Sequence, residues 1–598
     1  MLSSVILAAP ALLMLVVKMA VVTSVARGAS RFAEDRLASW LMAWVIVHAA
    51  MIGIMLCLSA VHALSQAAVW AVALSSASIS IARLGIRQPI PALRIGSVLF
   101  AALAVFMLFR AAFFQEFTLD AQTYGLSRLG LWMNYQTILV HMPTEQVNIF
   151  SNEWNGELNA LLYGLAAGNI QGFMFGNVEV LLVVFLSVVW LARLLGASEG
   201  WSCLVALALA TSPACLGLAG TFKGDLLAVA AVVMAAGWAV TFVRSPRPVF
   251  LALAIGCCSL AVGAKITAVF PCLAIALVVG WEALRRLKLR PLTLGIAMGA
   301  VLSLPLVSRY LANAVVYGTP LKRTSNETMA AGISTFLDSA GFIGRMLLRT
   351  GPDSGQAYGW LIAGGLGASG FLCVGILLYQ AWRGPRLDGV RTVLAVAAVL
   401  SLAVAAFVVP SQPWAFRYFL PAVMLAAVAF LSVRVKSSIT AVLLSAAAVG
   451  VFLANVENLL RPGEINGNST FTDTLGRSAR STLVDRTFLN YPPLRQDFGF
   501  DLIEIDQGRQ MNVAVHAYLN RPSAPLIGSR AQNRLTYFET EGGLLASLGH
   551  QCFDLVALTK LKPVPLNRDA VRELTSAGYQ VITDGELLSL ARNSAGCP

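Results

Sequence analysis

The sequence predicts an α-helical polytopic membrane protein of about fourteen transmembrane helices, carrying a small C-terminal α/β domain outside the bilayer. Three observations lead there. Hydrophobic residues make up 57% of the 598-residue chain and charged residues only 12%, about half the charge of a soluble domain. Mean hydropathy is +0.73. The apolar residues fall in runs of about 20, the length that crosses a bilayer core. A soluble enzyme, a nucleic-acid binder and a disordered protein are excluded by this composition. Most of the net charge of +13 is what cytoplasmic loops of membrane proteins collect.

The predicted spans are 4–26, 38–62, 66–88, 95–114, 176–195, 201–218, 225–243, 248–262, 265–281, 292–310, 359–381, 391–409, 416–433 and 437–455. Residues 248–262 and 265–281 are short and meet at Gly263-Ala264-Lys265, which suits one re-entrant hairpin or two broken helices. The first span has no basic stretch in front and too long an apolar run for a signal peptide, so it is expected to be a helix.

Orientation follows from the Lys and Arg residues. If loop 115–175 is external, eighteen of them, from Arg27 to Lys436, fall at internal loop ends. The short external loops carry only Lys223, Lys265 and Arg417. This positive-inside asymmetry puts loops 115–175 and 311–358, and the tail, on the external face. The chain thus divides into a transmembrane domain, 1–455, and an external domain, 456–598.

In the tail, Val513–His516, Phe553–Leu558 and Tyr579–Thr583 read as strands, and 568–577 and 584–593 as helices. Strands alternating with helices suggest an α/β module. Seven of the nine cysteines lie in apolar runs, where cysteine acts as a small hydrophobe. Cys552 and Cys597 lie in polar sequence, and an external compartment permits a disulfide between them.

Loop 115–175 is long and dense in polar and aromatic residues, and such loops are usually functional. Segments 121–135 and 157–167 have the pattern of helices lying along the membrane surface, with Trp132 and Trp154 suited to the interface. Asp120 stands where the fourth span ends and the first of these segments begins. It is a candidate N-cap, favoured by the helix dipole, or a working carboxylate.

Asp120-Ala-Gln-Thr123-Tyr124-Gly-Leu126-Ser-Arg128 resembles the D-x-x-T-Y-H-L-P-R signature of bacterial GT-C glycosyltransferases, the superfamily of protein O-mannosyltransferases and lipid A aminoarabinose transferases. The similarity continues through His141-Met-Pro143-Thr144 and Asn155-Gly156-Glu157. Lys223-Gly-Asp225 occupies the place of a polar-Asn-Asp motif. Gly263-Ala-Lys265-Ile-Thr267-Ala resembles a G-x-K-x-T-A segment, and Arg417-Tyr418-Phe-Leu-Pro421 an R-Y-x-L-P segment. Gly125 stands where the family carries His and Ser127 where it carries Pro. Many relatives have two adjacent acids in this loop, whereas Asp120 is followed by Ala121, so no metal is indicated.

The resemblance implies a GT-C-like fold, a polyprenyl-phosphate-linked sugar as donor, chemistry at the outer membrane face and inversion at the anomeric carbon. An attacking hydroxyl must lose its proton, which calls for a placed carboxylate, and the resemblance gives that part to Asp120. The leaving lipid phosphate needs cations at headgroup depth. Lys265, Arg417 and Lys223 are the expected phosphate-binding residues through charge-assisted hydrogen bonds, against plain headgroup snorkelling. Asp225 lines the same site or pairs with Lys223. Tyr124, Arg128, His141 and Glu157 are expected in the sugar or acceptor pocket. His141 is otherwise an interfacial histidine, and Glu157 the start of a surface helix. No cofactor is expected, because the lipid-linked sugar is itself a substrate. The expected partners are that donor, a glycan, lipid or protein acceptor, and membrane lipids, with a bacterial inner membrane as location.

No G-x-x-x-x-G-K-[ST], H-E-x-x-H or paired C-x-x-C motif is present, and no G-x-G-x-x-G follows a strand, so ATP hydrolysis, zinc proteolysis and dinucleotide chemistry are not expected. Two other readings compete. An O-antigen ligase or polymerase would use a late external loop with arginine and histidine, but 311–358 has no histidine. A transporter or lipid flippase would show mid-helix acids or paired repeats, and mid-helix acids are scarce.

Overall fold

The computed structural model describes residues 2–33, 35–85, 95–113, 125–142, 148–321, 333–348, 365–383, 389–409, 411, 415–433, 438–460, 510–516, 524–527, 532–560, 566–584, 588–595 and 597. Four long helices open the chain: α1 Leu2–Ala29, α2 Arg36–Ala60, α3 Gln66–Leu84 and α4 Ile95–Phe113. Shorter pieces follow, α5 Leu126–Tyr135, α6 Asn148–Ser151 and α7 Asn155–Ala167. The central series is α8 Phe175–Leu194, α9 Glu199–Ala210, α10 Pro213–Ala219, α11 Asp225–Arg244, α12 Pro248–Ala264, α13 Val269–Arg286, α14 Leu289–Leu306 and α15 Ser308–Tyr317. The helical body closes with α16 Ile333–Leu348, α17 Ala368–Arg383, α18 Gly389–Val408, α19 Phe416–Leu431 and α20 Ser438–Leu460.

Among the described residues, nine helices are long and apolar enough to cross a membrane, and the bent pair α9–α10 makes up to ten. Four shorter apolar helices lie in α12, α17, α19 and α20. Each predicted span overlaps one of these. The sharp break lies where the sequence did not announce it. Residues 248–281 form two helices, α12 and α13, joined by one 3-10 turn, Ile266–Ala268. It is α9 and α10 that bend by 68°. Pro213 begins α10 and Ser212 caps it; a residue before proline is pushed to extended backbone, which stops α9.

The core is formed by α8 and α11, whose apolar windows are each 89% buried. Their packed faces carry Trp190 and Trp238 with ring centroids 4.5 Å apart. A polar group crosses this core. The Lys18 ammonium donates to Glu179 at 2.8 Å and to Asn159 at 2.7 Å. Trp44 and Tyr163 donate to the same carboxylate, each at 2.6 Å. These bonds tie α1, α2, α7 and α8 together, and a buried charge is tolerated only when paired in this way.

The C-terminal domain is a five-stranded sheet of β1 Asn512–His516, β2 Arg534–Phe538, β3 Leu555–Thr559, β4 Tyr579–Asp584 and β5 Leu588–Asn593, in the order β2-β1-β3-β5-β4. β1 runs parallel to β2 and β3, and β5 runs antiparallel to β3 and β4. Two short helices, α21 Glu541–Ser547 and α22 Arg568–Ser576, complete it. The predicted helix at 584–593 is thus corrected to strand β5. Ser589, Leu590 and Ala591 are all buried between two neighbours, and a strand covered on both faces loses its alternation. Cys552 and Cys597 are joined by a disulfide, with Cα atoms 5.6 Å apart.

Candidate functional site

The motif residues gather where α7, α11, α12, α13 and α19 present their ends to one another. Backbone meets backbone there. A Cβ on Gly156 would strike the main chain of Gly224, and one on Gly224 would strike the Ala264 carbonyl oxygen. Only glycine permits such an approach, so the Lys223-Gly224-Asp225 turn is wedged between α7 and α12. Asn177 of α8 holds it from below, donating to the Leu218 and Lys223 carbonyls, each at 3.0 Å.

This wedge aims Asp225, in the first turn of α11, at Lys265. The carboxylate is buried and lies 3.6 Å from the ammonium, whose side chain is 20% exposed. Burial lowers the Lys265 pKa, but Asp225, joined by Tyr418 and Glu153, holds the ammonium above its ordinary value. The ammonium also sits 4.8 Å from the Tyr418 ring centroid, and the Arg417 guanidinium 5.1 Å from the same ring. Arg417 Nη2 donates to the Tyr418 hydroxyl at 3.3 Å. Two cations therefore share one aromatic ring, a favourable contact. Of the expected phosphate-binding residues, Lys265 and Arg417 are together, and Lys223 lies on the adjoining turn, buried.

Behind this pair is a second group. Glu153, a residue the motifs did not single out, accepts the Ile266 amide at 2.9 Å and so fixes the turn after Lys265. Next to it Arg128 and Glu157 form a buried ion pair, and Arg128 Nη1 donates to the Asn152 carbonyl at 3.0 Å. Burial pushes the Glu157 carboxyl up, against the opposing pull of Arg128. Arg309 of α15 lies over Trp154 at 4.8 Å. Burial and then Arg128 bring its pKa down to about 9.

Two expectations change here. Residues 157–167 do not lie on a membrane surface: α7 is buried from Asn155 to Ala166. Trp132 and Trp154 are sealed in the interior, edge to face at 6.2 Å, rather than at an interface. The physical reason is polar satisfaction. Asn155 donates to the Leu306 carbonyl and Asn159 to that of Gly176, so the polar side chains that suggested a wet face are bonded inside. Asp225 pairs with Lys265.

His141 is exposed and lies 3.2 Å from the Tyr317 hydroxyl. Its ring also meets Phe150, which in turn meets Tyr537 of β2. The C-terminal domain is seated on this same end of the body. Asn134 donates to the Asn533 carbonyl at 2.8 Å, Tyr135 to that of Leu535 at 3.2 Å, and Arg534 lies 4.4 Å from the Tyr135 ring. Asp120 and Tyr124 lie outside the described residues. Among those described, no three His, Cys, Asp or Glu side chains gather as metal ligands do.

No protein-family description matches the chain, and no curated protein does. Among solved structures, the chain is similar to ArnT from Cupriavidus metallidurans bound to undecaprenyl phosphate, with 15% identity over 84% of this chain and 99% of that one, at a TM-score of 0.49. The apo form of ArnT gives 13% identity over the same shares and a TM-score of 0.48. Arabinofuranosyltransferase AftD from Mycobacteria gives 13% identity over 85% of this chain and 40% of that one, with a TM-score of 0.38. At these scores none of the likenesses carries the functional reading, which rests on the chain's own residues.

Proposed function

We propose that this protein is an integral-membrane, inverting glycosyltransferase of the GT-C kind. It takes a hexosyl or pentosyl group from a polyprenyl-phosphate carrier and passes it to a glycan, lipid or protein hydroxyl. The reaction runs at the external face of a bacterial inner membrane, with the C-terminal domain on the periplasmic side. One observation carries the reading. Lys265 and Arg417, far apart in sequence, converge on Tyr418 with Asp225 behind them. That is an arrangement suited to a lipid phosphate: two fixed cations at the ends of apolar helices, one held charged by a buried carboxylate.

In the step itself the acceptor oxygen bonds to the anomeric carbon as the bond to the phosphate oxygen breaks. The electron pair leaves with the polyprenyl phosphate, stabilised by Lys265 and Arg417. The acceptor's proton passes to Asp120 as general base. No nucleotide is needed, since the phosphate ester stores the driving force.

The test is transfer by the full chain in liposomes supplied with polyprenyl-phosphate sugars. Wild type should bind undecaprenyl phosphate and transfer sugar. Asp120→Asn should lose transfer by roughly 100-fold or more while still binding the carrier, and Lys265→Ala should bind it more weakly. Carrier binding unchanged in both Lys265→Ala and Arg417→Ala, or full transfer by Asp120→Asn, refutes the reading.

A further inference from the structure

The lipid phosphate leaves part of this end of the molecule unexplained. Arg309 is 6% exposed, and its Nε and Nη2 are buried without a hydrogen-bond partner among the described residues. The indole N–H of Trp154, on whose ring Arg309 rests, is also buried and unpaired. The neighbouring carboxylate, Glu157, is already engaged by Arg128, and the other, Glu153, is held by the Ile266 amide. Buried donors without acceptors are rare and costly, and an uncompensated buried guanidinium more so. Every orphan atom of the Arg309–Trp154 pair is a donor, and an arginine fork set on an aromatic face is built to receive an oxyanion.

We propose that Arg309 and Trp154 form a second oxyanion subsite, separate from Lys265 and Arg417, which receives a phosphate ester or carboxylate carried by the acceptor. This deepens the glycosyltransferase reading by naming a chemical class for the acceptor: one with an anionic group near its attacking hydroxyl. The placement fits that use. Glu153, which accepts the Ile266 amide beside Lys265, also acts on the charge of Arg309, so the two anion sites would lie near one carboxylate. Two anionic substrates brought together need two such cradles, or they repel one another.

The experiment reads binding, not turnover, and so stands apart from any failure to find the right sugar. Inorganic phosphate is titrated against the purified full-length protein, followed by 31P NMR line broadening, with and without saturating undecaprenyl phosphate. Carrier binding is measured separately. Saturable phosphate binding should persist when the carrier is bound. It should weaken on the order of tenfold in Arg309→Gln and less in Arg309→Lys, with carrier binding unchanged. Complete displacement of phosphate by the carrier would assign Arg309 to the donor and overturn the proposal. So would an equal affinity in Arg309→Gln, or no saturable binding by the folded wild type. Carrier that fails to bind at all would count against the donor reading alone, leaving the phosphate titration to decide this one.

Discussion

Asp225 and Lys265 meet at 3.6 Å across the gap between the first turn of α11 and the turn that closes α12, the carboxylate sealed and the ammonium a fifth exposed. The pair leaves one side of the cation available while fixing its charge. Because Asp225 raises the Lys265 pKa, its stabilising contribution is present below the ordinary lysine pKa and is lost as pH rises through the raised value. Asp225→Asn removes the strongest raising partner and leaves burial, which lowers the pKa, opposed only by the weaker pull of Tyr418 and Glu153. Carrier binding by that variant should therefore fail at lower pH than in wild type, with the difference plain by about pH 9–10. Isothermal titration across that range checks it, and superimposable pH profiles would mean the pair does not set the charge of Lys265.

Gly224→Ala should be far more damaging than its single methyl suggests. The added carbon meets the Ala264 carbonyl, which sits one residue before Lys265. We expect a loss of more than tenfold in carrier binding and a destabilisation of about 1–3 kcal/mol, the usual cost of overpacking. Thermal unfolding in detergent with a carrier-binding assay would show both; a variant like wild type in both would mean that the turn can yield.

Glu179→Gln leaves Lys18 buried without its counter-charge. Breaking such a pair costs about 3–5 kcal/mol, and the loss should appear as a lower unfolding temperature. Replacing both partners with apolar residues of similar size, Lys18→Met with Glu179→Leu, should recover part of it. If Glu179→Gln unfolds at the wild-type temperature, the pair is not holding α1 to α8.

Reducing the Cys552–Cys597 bond opens a loop of 45 residues, which the chain-entropy account values at about 4 kcal/mol. Cys552→Ser should loosen the C-terminal sheet, seen as faster amide exchange in β3 and β5, while α8 and α11 stay protected. Unchanged exchange would show that the sheet's own core suffices.

Much of this was legible in the sequence because its physics is local. Apolar runs of bilayer length report helices whatever their neighbours are, and each predicted span met one. Asp225 was singled out by the resemblance of its motif alone, and Lys265 and Arg417 by motif and by being among the few cations of the short external loops. Arg309 did not stand out, since it falls in no motif and reads as an arginine at the end of the span 292–310; only its Nε and Nη2, without a partner among the described residues, mark it. Glu153 works through one bond to the Ile266 amide, a contact across more than a hundred residues that no spacing reveals. The wet look of α7 misled because Asn155 and Asn159 spend their polarity on distant carbonyls, and β5 misled because a strand hidden on both sides loses its period. Asp120 and Tyr124 keep the standing the sequence lent them.

The glycine contacts at Gly156 and Gly224 have a mechanical consequence. Where side chains cushion one helix against the next, a small tilt dies out within a layer. Where main chain bears on main chain there is no such padding. A displacement of α7 is handed undamped to the turn of Lys223, and from there to the closing turn of α12. A displacement of α7 at its Arg128–Glu157 end would thus reach the Lys265 ammonium as a shift in position, linking the two ends of this contact by stiffness alone.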